Sequence, residues 1–333
     1  MERTNTNRDF YTDSSIYLAG SFISGIVPII ILPITTRYLT PADYGVVAIF
    51  FMFGTVSSGL ISLGLNSATF RFYFEYQELN DLEGFKLLNS SSIYFICIVF
   101  ITFSGFFVFK SGWISEYLFD NKISKNLIPL SFLYGCLNYL GNYFFLLLQA
   151  KKKPVIFNIV SSTRALIMSG VSIYLVMFES YTYYAIIYAS LLSSFFTLVC
   201  VFLLNLELIN YGFSFSSLKK SIKFILPKSF LSVTGAIQSS FDKTMLVNYQ
   251  GVTVVGDYHF GQKFGSIIKL IIDSFGRVWS PFFMQHAENN TTESKNILVK
   301  KYIELAAIYV FFGLGIIAFS EEAIELLLTE EYY

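Results

Sequence analysis

Long apolar runs alternate with short polar connections along the whole chain, and the runs are of membrane-crossing length. About 18 or more consecutive apolar residues mark a spanning helix. The pattern predicts about nine such helices, near 14–34, 44–66, 89–109, 127–149, 155–178, 183–205, 224–247, 253–275 and 302–320. Two of them are not uniformly apolar. At 100° per residue, segment 224–247 places Lys228, Ser232, Gly235, Gln238, Ser239, Asp242 and Lys243 on one arc, with Phe230, Val233, Ile237 and Phe241 opposite. Segment 253–275 does the same with His259, Gln262, Lys263, Ser266, Lys269 and Asp273, against Phe260, Phe264, Ile267, Ile268, Ile271 and Ile272.

A charge at bilayer depth costs roughly 2.5–3.5 kcal/mol even on the lenient insertion scale. Six such charges facing lipid would cost on the order of 15–20 kcal/mol. The stripes are therefore expected to face protein or water, as in a transport path. The competing reading of segment 253–275 is an amphipathic helix lying flat at the membrane surface, which Trp279 and Phe282 beyond it would also suit.

Composition agrees with the pattern. The chain is 54% hydrophobic and 14% charged, against about 25% charged for soluble domains. Its net charge is zero, which gives no support to nucleic-acid binding. Cys97, Cys136 and Cys200 sit singly in apolar runs and read as small core residues. The distribution of lysine and arginine sets orientation. With the N-terminus inside, the outer side holds only Arg37, Lys110, Lys122 and Lys125, and the inner side holds the rest of the loop bases, among them Arg71, the Lys151–Lys153 run and Arg277. The N-terminus is thus expected in the cytoplasm.

Between the first two helices, Thr40, Pro41 and Asp43 form the cap, first position and capping-box acid of a helix start. An Asp-Tyr pair recurs in the first turn of segment 253–275, a weak sign of duplication. Arg164, near Ser161, Ser162 and Ser169, is the one charge deep in the first six helices and needs a partner or an anionic ligand. The polar rows Thr55, Ser58, Ser62, Asn66 and Asn138, Asn142, Gln149 read as contacts between helices. Gly261 and Gly265 read as small residues permitting close packing. No nucleotide loop, metal-ligand cluster or nucleophile motif is present, so neither enzymatic activity nor a cofactor is expected.

Four stretches carry a family resemblance: TRYLTPADYGVVA (36–48), GLNSATFRFYFE (64–75), LLLQAKKKP (146–154) and FDKTMLVNYQGVTVVGDYHFGQKFG (241–265). In them the chain resembles the O-antigen and lipid-linked-oligosaccharide flippases of the multidrug/oligosaccharidyl-lipid/polysaccharide exporter superfamily. The resemblance implies an all-α, polytopic, MATE-like fold of two bundles in the bacterial inner membrane. The first bundle would be residues 1–210, and the second, incomplete at about three helices, residues 211–333. It implies flipping of an undecaprenyl-diphosphate-linked oligosaccharide by alternating access through a cationic cavity.

Under that reading Lys263, Lys269, Arg164, Lys228, Asp242 and Lys243 would line the cavity, and His259 and Asp273 would be candidates for ion coupling. The expected partners are the lipid-linked glycan, membrane lipids and other membrane proteins of polysaccharide assembly. Three alternatives stay open: an ion-coupled exporter of small molecules on the same fold, an inactive truncated flippase, and a membrane glycan polymerase. The family has about twelve to fourteen helices, which is why truncation is among them.

Overall fold

The computed structural model describes residues 2–119, 122–179, 181–288, 291–319 and 322. Among these there are eleven α-helices and no strand. In chain order they are α1 (Glu2–Thr35), α2 (Pro41–Ser62), α3 (Leu65–Glu78), α4 (Leu82–Phe109), α5 (Ser111–Phe119), α6 (Leu127–Ala150), α7 (Pro154–Phe178), α8 (Tyr184–Leu203), α9 (Phe215–Gln250), α10 (Val252–Glu288) and α11 (Thr292–Ala318).

Each of the nine expected spans falls mainly within one of these helices. Six helices among the described residues, α1, α2, α4, α7, α8 and α11, are long and apolar enough to cross a membrane by length and composition. The three that fall short, α6, α9 and α10, include both striped segments and the row of Asn138, Asn142 and Gln149.

The start of α2 is built as the sequence indicates. The Thr40 hydroxyl accepts from the Asp43 amide at 3.2 Å, and the Asp43 carboxylate accepts from the Thr40 amide at 2.9 Å. Two elements differ from expectation. The second span does not run through residue 66: Leu63 (φ 43°) and Gly64 (φ 86°) both turn left-handed, end α2 and start α3 as a separate helix. The stretch 110–126, expected as a loop, contains α5. Helices α9, α10 and α11 also run well past their expected spans, so Lys219, Lys220, Lys223, Arg277, Lys295, Lys300 and Lys301 lie on helices and not in loops. The acidic segment at residues 323–333 lies outside the described residues.

The chain runs up and down between two ends. At the first end α1 finishes, α2 and α10 begin and α9 finishes; at the second, α3 meets α4, α6 meets α7, and α9 begins. Helix α2 is the hub, packed on α6, α9 and α10, while α1 packs on α7 and α10. A single large apolar core draws on α2, α4 and α6 and reaches α9 and α10 through Ile225, Val247, Val255 and Phe275. Ser58 donates to the Gly135 carbonyl at 2.8 Å, tying α2 to α6 as the polar-row reading expects.

The linker between α8 and α9 is pinned to α4 at several points, at its exposed edge by Tyr94, which donates to the Tyr211 carbonyl at 3.3 Å. Asn89 donates to the Leu208 carbonyl at 2.7 Å, and the hydroxyls of Ser90 and Ser91 accept from the amides of Asn210 and Ser214 at 2.7 and 2.9 Å. Tyr143 secures Asn89 in turn, donating to its side-chain oxygen at 2.7 Å. These bonds match polar groups of a buried or half-buried junction.

Candidate functional site

The site is built where α10 crosses α2 at the first end. Glycine makes the crossing possible. A side chain on Gly45, the fifth residue of α2, would overlap the carbonyl oxygen of Val252, the first residue of α10. Reciprocally, a side chain on Gly256, the fifth residue of α10, would overlap the carbonyl oxygen of Pro41, the first residue of α2. The contact is thus locally two-fold. The expectation that Gly261 and Gly265 serve close packing is corrected: a Cβ at either would meet nothing within 4 Å. They face open space, and the packing glycines lie on two different helices.

One turn further in, the ring of Tyr44 packs on Phe260 (centroids 4.6 Å apart) and its hydroxyl meets the Thr35 hydroxyl at the end of α1. Lys263, about 16 Å along α10 from its start at 1.5 Å per residue, places its ammonium 5.5 Å from the centre of the Tyr44 ring and 5.7 Å from that of Phe260. Such cation–π contacts hold a charge in apolar surroundings without neutralising it. His259 lies one turn before Lys263 on the same face. It is buried, and among the described residues neither ring nitrogen has a hydrogen-bond partner. Lys243, near the end of α9, is also buried and makes no ion pair among the described residues. Both lysines act electrostatically on His259. Asp242, the adjacent carboxylate, points to the exposed side, where it accepts a hydrogen bond from Tyr258 at 3.1 Å. The arrangement concentrates positive groups within a dry helix crossing, which suits an anion.

The other expected site residues divide. Arg164 stays inside the early helices, donating to the Asn138 side-chain oxygen at 2.9 Å and the Ser194 hydroxyl at 3.3 Å. Its partners lie on α6 and α8, whereas those of Lys263 lie on α2 and α10. Lys269 and Asp273 are exposed further along α10. Lys228 lies on α9, and its side chain is outside the described residues. Of the three isolated cysteines, Cys136 is buried as expected but Cys97 is exposed.

Helix α10 packs on α1, α2, α9 and α11. Sequence reasoning placed Arg277 in a loop and missed its role. Its guanidinium sits 4.7 Å from the centre of the Phe157 ring on α7 and donates to the Ser21 hydroxyl on α1, while its carbonyl accepts from Gln149 of α6 at 2.9 Å. The signal was available, since Arg277 continues the stripe one turn after Asp273.

A family model described as polysaccharide biosynthesis protein matches residues 34–333. No curated protein sequence matches the chain. Among solved structures, a MATE transporter in complex with MaD5 matches over 96% of this chain and 75% of its own, at 14% identity and a TM-score of 0.65. The Vibrio cholerae MATE transporter VcmN matches over 99% and 77%, at 11% identity and 0.63. An inward-facing multidrug resistance MATE family transporter of the MOP superfamily matches over 92% and 72%, at 16% identity and 0.56. At such identities these likenesses concern the fold.

Proposed function

Because this chain belongs to the polysaccharide biosynthesis protein family and has the MATE transporter fold, we propose that it moves a lipid-linked oligosaccharide across a membrane. The substrate's diphosphate would be received by Lys243, His259 and Lys263. The observation that carries the reading is the cluster itself: two lysines and a histidine gathered between α2, α9 and α10, with the nearest carboxylate turned aside toward Tyr258. A lysine ammonium is a compact point charge that binds phosphate well. An exporter of small cations on the same fold would need the opposite sign at this place.

In this reading the membrane is the bacterial inner one, the second end faces the cytoplasm, and the substrate loads there. The lysine and arginine asymmetry supports that orientation. The two parts of the fold, residues 1–210 and 211–333, would rock against each other about the glycine crossing.

Export of surface glycan in a strain lacking its own flippase tests the proposal. The chain is expressed alone and as part of the longest reading frame that contains it. Glycan should return in at least one case, and Lys263→Ala should abolish it while the protein still inserts. Normal surface glycan in the Lys263→Ala strain would remove the diphosphate role; no export from either form would remove the transport reading.

A further inference from the structure

A cavity of about 310 Å³ opens at the second end, where α3, α6, α9 and α10 converge. Its volume lies at the lower limit of small-molecule sites, roughly 300–1,000 Å³. Its wall combines Asn66, Ser67, Arg71, Phe224, Trp279 and Ser280. It is distinct from the lysine cluster: Trp279 is about 24 Å further along α10 than Lys263, at 1.5 Å per residue.

We propose that this cavity binds an acidic sugar ring of the transported glycan, with Trp279 as the face on which the ring lies and Arg71 as the partner of its negative group. The proposal rests on the transport reading above and names the substrate class that reading leaves open.

Three observations converge. First, Trp279 is held as a platform, with the rings of Phe282, Phe283 and Tyr302 at 6.2, 5.9 and 6.4 Å from its own. A pyranose presents an apolar C–H face and a rim of hydroxyls, which matches an indole face bordered by an amide and two serines. Second, the Arg71 guanidinium is held 4.9 Å from the centre of the Phe224 ring, itself braced at 5.7 Å by Phe72. Arg71 makes no ion pair among the described residues. A guanidinium held over a ring keeps donors available for a carboxylate or phosphate. Third, the side-chain oxygen of Asn66 is buried in the wall without a hydrogen-bond partner. A turn of this side chain toward the cavity would let a sugar hydroxyl supply the missing donor. A lipid alkyl chain would satisfy only the aromatic wall and leave the amide, serines and guanidinium unmatched.

The chain has two tryptophans, so Trp113→Phe leaves Trp279 as the sole indole. The purified variant in detergent is titrated with D-glucuronate, D-glucose and inorganic phosphate while its fluorescence is followed. Glucuronate should change the emission saturably, glucose about fivefold more weakly, and phosphate alone should produce no saturable change. Arg71→Gln should bring glucuronate to the level of glucose.

No saturable change with glucuronate, equal response to glucose, or the same response to phosphate alone would each overturn the proposal. The titrations of the Trp113→Phe protein decide it even where the added Arg71→Gln does not fold. They read binding and not export, so their failure is distinguishable from a failure of the transport reading. That reading is judged by surface glycan.

Discussion

Helix α10 meets the early helices in two ways. At the first end it meets α2 backbone to backbone, glycine against carbonyl, with Tyr44 and Phe260 closing the space behind. At the second end it meets α1, α6 and α7 through the side chains of Arg277, Ser21, Phe157 and Gln149, beside a part-open cavity. A backbone crossing of this kind has no room for water and no rotamers to rearrange, so it is either closed or separated. A side-chain contact around a cavity can be remade in steps. The first end is therefore the sealed one, and the second the one at which a bulky polar head can be received. Under the transport reading proposed above, substrate would meet adaptable side chains first and the two-state seal last.

The largest effect should come from breaking the seal. Gly45→Leu or Gly256→Leu forces side-chain atoms into a main-chain carbonyl, so the whole crossing must move. Overpacking costs typically 1–3 kcal/mol, and with backbone as the obstacle about 3 kcal/mol or more is expected, read as a steep fall in melting temperature in detergent. Gly261→Ala, facing open space on the same helix, should instead be neutral or raise stability by about 0.4–1 kcal/mol through lost chain entropy. Equal destabilisation at Gly45 and Gly261 would refute the assignment of the seal.

That pair of glycines also shows what the sequence could and could not convey. Local chemistry was legible: the Thr40–Asp43 box forms as read, the striped helices are there, and the spans fall on the helices. Long-range fit was not. A GxxxG spacing on one helix looks like a packing signal, whereas the packing glycines are one from each of two distant helices. The Asp-Tyr repeat does not mark this contact, which brings Gly45 and Gly256 together. The break after α2 depends on a left-handed leucine, which no propensity indicates. Within the site, the stripe correctly brought His259 and Lys263 to one face. What it lacked was Tyr44, because the aromatic floor under the lysine belongs to another helix.

An intermediate effect should follow at the second end. Arg277→Ala removes a stacked guanidinium and its hydrogen bond to Ser21, a loss of about 1–3 kcal/mol. Arg277→Lys should recover only part of it, since an ammonium cannot stack as a planar fork. If the second end is the adaptable one, Arg277→Ala should loosen α1 and α7 around residues 17–21 and 157, seen as faster amide exchange there, while amides at 45–49 and 256–260, past the first turns of α2 and α10, keep their protection. Loosening at both ends together would mean that the two contacts act as one and that the comparison fails.

The smallest effect concerns the linker that joins α8 to α9. The Lys151 ammonium lies 2.7 Å from Glu207 and, as hydrogen-bond donor and as charge, holds that carboxyl below its ordinary 4.5, with Lys153 and Lys86 adding to it. A carboxyl whose folded value is depressed contributes stability above its unfolded value and loses it as pH falls through the folded one. Acid below about pH 4.5 should therefore loosen the linker in the wild type. The Glu207 side chain is 64% exposed, so solvent screens the pair and the effect is slight. Glu207→Gln should remove this acid dependence of amide exchange at residues 206–210 and leave the rest of the profile in place. An unchanged acid profile in that variant would show that the three hydrogen bonds from Asn89, Ser90 and Ser91 hold the linker without help from the ion pair. Neutral hydrogen bonds would then suffice to anchor the second end while its cavity adapts.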